Sequence, residues 1–162
     1  MRENKIKGWM SVPELEFLYE TAKGMDTIVE LGSYLGRSTV ALAQGCEGNV
    51  WAVDHWDWKD GLGLVMDGTE YQQFLNNTKD FNNIYQLRMT TLEAVKEIDK
   101  ADMVFIDADH RYKSVSDDIY AWKPKAKKII CGHDYDLSSV RQAVDELLNV
   151  DGVVGSIWYK WL

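Results

Sequence analysis

Short apolar runs that stop abruptly at a polar or charged residue recur along this chain. The stretches between them carry apolar residues at helical spacing. The runs are DTIVELG (26–32), NVWAVD (49–54), NIYQLRM (83–89), DMVFID (102–107) and KKIICG (127–132). Rich in branched residues and bounded by turn formers, they read as strands, the central ones covered on both faces. Between them, SVPELEFLYETAKG (11–24), RSTVALAQG (37–45), TEYQQFLNNTKD (69–80), LEAVKEID (92–99), SVSDDIYAWK (114–123) and SSVRQAVDELLN (138–149) predict helices. The first carries its own boundaries: Ser11 as cap, Glu14 three residues on, Pro13 in the first turn and Gly24 past the end. The final run, VGSIWYKWL (154–162), alternates apolar and polar and reads as an antiparallel edge strand.

Strands alternating with helices require crossover connections, hence a mostly parallel sheet with helices on both faces. The expected architecture is a three-layer α/β sandwich, a single domain over 1–162, with no internal repeat and no linker. After Asn149 there is scarcely room for two further strands, so one of them is expected to be reduced or missing and the fold shortened at its C-terminus.

Charge narrows the partners. The 26 acids against 18 bases give a net charge of -8, and the densest basic stretch is only residues 123–128. A nucleic-acid backbone is therefore an unexpected partner. Cys46 and Cys131 lack metal-site spacing, and no run approaches the ~18 apolar residues of a membrane span. MRENKIKGW has no apolar stretch behind its charges, which predicts no signal peptide and a reducing, cytoplasmic setting.

Candidate chemistry gathers at the strand exits, where parallel sheets bind ligands. Glu30 and Gly32 end the first strand, Asp54 the second and Asp107 the fourth; Thr90 and Thr91 follow the third, and His133 and Asp134 end the fifth. In ELGSYLGRS (30–38), Tyr34 stands where the dinucleotide fingerprint needs a glycine for pyrophosphate, which argues against NAD. Glu30 would repel a phosphate but suits an ammonium. Asp54, 22 residues after Gly32, is placed to accept ribose hydroxyls. An acid, a glycine turn and a second acid at this spacing suggest S-adenosylmethionine. The plainer reading is a tight turn with two surface acids.

VELGSYLGRST, AVDHW, VFIDADHRY and IICGHDY, in this order, resemble the class I S-adenosylmethionine-dependent methyltransferases, nearest to small O-methyltransferases of the macrolide-sugar type. FIDADHRY is also similar to the corresponding segment of metal-dependent catechol and caffeoyl-CoA O-methyltransferases. The resemblance implies a Rossmann-like fold and the following roles. Glu30, Gly32, Tyr34, Gly36 and Ser38 would line the methionine end of the cofactor, and Asp54 would hold the ribose. His55 or Trp56 would cover the adenine, with Thr91 at its edge. Asp107 would face the methyl group. His110 would be the general base, since an imidazole titrates near pH ~6.5, with the alternative that it merely caps a helix. Asp107, His133 and Asp134 match the divalent-metal positions of the metal-dependent branch. His133 departs from the all-oxygen set that magnesium prefers and suits manganese or a similar ion; with no metal it becomes a base or an acceptor contact. The implied activity is methylation of a small hydroxylated molecule; the alternative is a non-catalytic protein binding S-adenosylmethionine or S-adenosylhomocysteine. Amide and nucleic-acid methyltransferases are set aside because DADH replaces their Asn/Asp-Pro-Pro-aromatic tetrad.

Two further expectations follow. Family members carry extra N-terminal elements over the acceptor, whereas the first strand here begins by Thr27, so the acceptor site is expected to be open or completed by a second subunit. Among seven tryptophans, Trp56 and Trp58 lie in a polar loop suited to stacking on adenine or acceptor, and Trp9 and Trp161 suit a homo-oligomer contact.

Overall fold

The computed structural model describes residues 3–57 and 68–162; Trp58, expected at the adenine or the acceptor, lies outside them. Seven strands form one sheet in the order β3-β2-β1-β4-β5-β7-β6. They are β1 (Thr27–Leu31), β2 (Asn49–Asp54), β3 (Ile84–Arg88), β4 (Ala101–Ile106), β5 (Ala126–Gly132), β6 (Gly152–Val154) and β7 (Ile157–Trp161). The first five are parallel, β7 runs antiparallel to β5, and β6 pairs antiparallel with β7 at the edge. The helices are α1 (Val12–Ala22), α2 (Arg37–Gly45), α3 (Glu70–Thr78), α4 (Thr91–Ala94), α5 (Tyr112–Trp122) and α6 (Ser138–Leu147).

Alternate side chains of the central strands enter two cores. Val29, Leu31, Val104, Ile106 and Ile130 face α5 and α6 through Ile119, Trp122, Ala143 and Val144. Ile28, Met103, Phe105, Ile129 and Cys131 face α1 and α2 through Leu15, Leu18 and Leu42. With both faces covered, these strands are apolar at consecutive positions, which is why they read as unbroken runs.

Two expectations change. Both C-terminal strands exist: the run read as a single strand turns at Gly155 (φ 60), leaving Val154 in β6 and Ile157 in β7. The shortening is confined to β6, which has three residues. The helix expected over 92–99 is only Thr91–Ala94, held by a capping box between Thr90 and Glu93. Among the described residues no helix is long and apolar enough to cross a membrane.

The sheet order reverses between β1 and β4, and there the two chain exits nearly touch. Asp107 N–H donates to the Leu31 carbonyl at 2.7 Å, and Gly32 N–H to the Val53 carbonyl at 2.8 Å. A Cβ on Gly32 would lie 2.1 Å from the Asp107 carbonyl oxygen, and Gly32 adopts φ +88. Only glycine fits such a crossing.

Candidate active site

The carboxyl ends of the parallel strands open into one cleft of about 700 Å³. Gly32, Tyr34, Ser38, Asp54, His55, Thr91, Asp107, His110, His133 and Asp134 all line it. Sequence positions as far apart as 32 and 134 thus meet because parallel strands all end on one side of the sheet.

Asp54 organises the glycine turn. Its Oδ2 accepts the backbone N–H groups of Ser33 (3.0 Å) and Tyr34 (2.9 Å), and its Oδ1 accepts that of Trp56 (2.8 Å). A carboxylate offers about four acceptor positions. Three are taken among the described residues, two on Oδ2 and one on Oδ1.

Glu30 lies behind the turn, completely buried, and does not line the cleft. Its Oε2 accepts from the hydroxyls of Ser33, at 2.7 Å, and Thr39. Its Oε1 has no hydrogen-bond partner among the described residues. Burial pushes the carboxyl up to about 7, against the pull of the surrounding hydroxyls. Glu30 therefore backs the glycine turn and reaches the cleft only through residues such as Ser33, which lines it.

Three expected cofactor residues sit differently. Trp56 is 2% exposed and packs on Tyr71 and Phe74, with ring centroids 4.8 and 4.9 Å away. Its Nε1 donates to the Tyr34 carbonyl at 2.7 Å, so it supports the turn from beneath instead of covering an adenine. Gly36 is buried against Phe74 and Thr78, outside the cleft lining. Thr91 reaches the cleft, but its hydroxyl donates to Asp118 Oδ1 at 2.5 Å. His55 remains in the lining, with Nδ1 2.6 Å from Asp57.

Opposite the turn, β4 and β5 deliver acids and imidazoles. Asp107, His110 and Asp134 each offer a ligand atom, all within 4.8 Å of one another. One nitrogen with two carboxylates suits manganese, iron or zinc better than magnesium. His110 Nε2 lies 2.9 Å from Asp134 Oδ2. That hydrogen bond, together with the charges of Asp134, Asp107 and Asp109, raises the His110 imidazole above its ordinary value despite burial. Asp134 is drawn down: burial would raise it, but hydrogen bonds from His110 and His133 prevail. Asp107 is pushed up to about 8, chiefly by burial and further by the charge of Asp134, against the pull of His133.

In the grouping of Asp107, His110 and Asp134, His110 takes the place expected of His133. His133 stands behind the trio, 8% exposed, with both ring nitrogens turned to oxygens. Nδ1 faces Asp134 at 3.2 Å and Asp107 at 3.7 Å, while Nε2 faces Ser156 Oγ at 2.9 Å and Glu14 at 3.3 Å. Burial opposes its charge, but the bond to Asp134 and the surrounding carboxylates win and hold it at about 9. Held in this way between Asp107 and Asp134, its positive charge offsets the two neighbouring acids.

Sequence reasoning missed several participants. Glu14 was legible only as a helix cap. Arg37, legible only as a helix start, donates to the carbonyls of Met10 (3.2 Å) and Ile6 (2.7 Å) and so ties the N-terminal segment to the cleft. Trp9 is 69% exposed in this structure and stacks on Tyr34 at the rim, with centroids 5.2 Å apart.

Residues 29–135 match the family described as methyltransferase domain. No curated protein sequence matches. Among solved structures, the cofactor-bound protein Rv0187 from MTB superposes with a TM-score of 0.72 at 16% identity, covering 98% of this chain and 84% of that one. An O-methyltransferase from Bacillus cereus in complex with SAH gives 0.69 at 17% identity, covering 96% and 84%. The O-methyltransferase TomG from Streptomyces achromogenes, involved in tomaymycin synthesis and in complex with SAM, gives 0.65 at 15% identity, covering 86% and 67%.

Proposed function

On the premise that this chain belongs to the methyltransferase-domain family and is a class I S-adenosylmethionine-dependent methyltransferase, we propose that it methylates a hydroxyl of a small acceptor seated over Asp107 and His110. The supporting observation is a shared cleft: the Gly32 turn and Asp54 lie on one wall, and the His110–Asp134 pair on the other. The O-methyltransferases from Bacillus cereus and Streptomyces achromogenes, bound to SAH and SAM, agree with this reading.

The Gly32 turn receives the methionine end, with Glu30 behind it acting through Ser33, and Asp54 accepts a ribose hydroxyl. When bound, the sulfonium nucleoside supplies a methyl group that is already electrophilic, so the protein's tasks are positioning and proton removal. Asp134 holds His110 through Nε2, which leaves Nδ1 to take the acceptor's proton as the oxygen–methyl bond forms and the sulfur–methyl bond breaks. Asp134 stabilises the resulting imidazolium, the role a carboxylate plays toward histidine in a catalytic triad.

A second reading is favoured by the 4.8 Å grouping of Asp107, His110 and Asp134. These residues would hold a divalent cation, which supplies positive charge that acidifies the acceptor hydroxyl. His110 would then be a ligand and not the base.

Calorimetry with S-adenosylhomocysteine, with and without manganese, tests both. Nucleoside binding independent of metal, with transfer to a panel of phenols and sugars lost in His110→Ala, supports the base. Manganese binding that His110→Ala abolishes supports the ligand. Absence of nucleoside binding removes the proposal altogether.

A further inference from the structure

Glu14 does more than a helix cap requires. Its Oε2 makes the cap, accepting the Ser11 backbone N–H and hydroxyl, both at 2.7 Å. The chain contains an internal comparison: in the second capping box, Glu93 receives the Thr90 N–H and hydroxyl through one oxygen while lying on the exposed surface. Glu14, by contrast, is 5% exposed, and its other oxygen is fully engaged. That oxygen accepts the Ser156 N–H at 2.7 Å and the Ser156 hydroxyl at 2.9 Å, and lies 3.3 Å from His133 Nε2.

The register explains the meeting. Gly132 pairs with Trp158 across β5 and β7, so the residues just beyond, His133 and Ser156, share the sheet's end. The tight Gly155 turn brings Ser156 against α1; a Cβ on Gly155 would lie 2.5 Å from Glu14 Oε1. From Glu14 the contacts run on through His133 to Asp134 at 3.2 Å, and from Asp134 to His110 at 2.9 Å. Asp134 sits at φ 60, a conformation uncommon outside glycine, and it bridges the two imidazoles with its two oxygens.

We propose that Glu14 is a positioning residue for the reaction: through Ser156 and His133 it sets the orientation of Asp134, and thereby that of the His110 ring. The inference rests on the role proposed above for His110. Glu14 is outside the cleft lining and touches neither acceptor nor nucleoside.

The chain has three histidines, so their ring signals in NMR form a small, assignable set at one fixed pH. Glu14→Gln is expected to shift the ring signals of both His133 and His110 and to leave those of His55 in place. Ser11→Ala, which weakens the cap alone, is expected to leave all three where they were. Ser156→Ala removes the hydroxyl between Glu14 and His133 and should repeat the Glu14→Gln pattern, a separate test should Glu14→Gln fail to fold. An unshifted His110 signal in the folded variants overturns the proposal, as does an equal shift in Ser11→Ala. S-adenosylhomocysteine binding by the wild type is measured separately and judges the methyltransfer reading on its own. That affinity is expected to be unchanged in Glu14→Gln.

Discussion

Asp54 Oδ2 receives the backbone N–H groups of Ser33 and Tyr34, at 3.0 and 2.9 Å, so the acid at the end of β2 holds the turn that follows β1. One carboxylate thus shapes the glycine turn and faces the cleft. Asp54→Ala is expected to abolish S-adenosylhomocysteine binding and also to destabilise the fold. Losing hydrogen bonds to a charged acceptor costs about 1.5–3 kcal/mol. Calorimetry and a thermal melt separate the two effects; an unaltered melting temperature would show that the loop does not depend on Asp54.

Gly32→Ala places a methyl group 2.1 Å from the Asp107 carbonyl, at a φ of +88 that L-residues avoid. The backbone conformation alone costs roughly 1–2 kcal/mol, and the clash forces β1 and β4 apart at the site itself. Urea unfolding should show a lower midpoint, and nucleoside affinity should fall with it.

Glu30 makes stability depend on pH. Its folded value is about 7 against an ordinary 4.5. Below pH 4.5 the group is neutral in both states. As pH rises toward 7 the unfolded chain ionises first, so stability declines across that window and levels off above it. The shift corresponds to about 3 kcal/mol at most. Glu30→Gln is expected to reduce this decline in urea titrations at pH 4.5, 6 and 7.5. Asp107, pushed up to about 8, and Asp118, raised to about 6, both chiefly by burial, leave a remainder of the same sign.

Thr91→Val leaves Asp118 without the hydroxyl that now meets it at 2.5 Å. A buried acid losing its partner costs about 1–3 kcal/mol. Stability is therefore expected to fall, while affinity for the nucleoside, measured by calorimetry, changes less. A large loss of affinity without loss of stability would return Thr91 to the adenine edge.

Much of the architecture was legible because buried parallel strands must be continuously apolar and must end where the chain becomes polar. β1, β2, β4 and β5 announce themselves in this way, and their terminal residues Gly32, Asp54, Asp107 and His133 necessarily share one end of the sheet. The capping boxes were partly legible as well, since a hydrogen bond across three residues is a local event. Ser11 and Glu14 could be read directly; the helix that Thr90 and Glu93 begin proved far shorter than its apolar pattern suggested, because tertiary packing and not pattern length decides where a helix stops.

What only the folded molecule decided was direction and distance. Trp56 sits beside Asp54 in sequence, yet a φ of 51 turns its ring under the loop and away from the cleft. His110 and His133 look alike on paper; the first stands with Asp107 and Asp134, while the second is locked behind them between Glu14 and the acids. Side-chain orientation depends on backbone dihedrals and on neighbours that the sheet register brings together. The meeting of Glu14 with Ser156, 142 residues away, leaves no trace in the spacing of either.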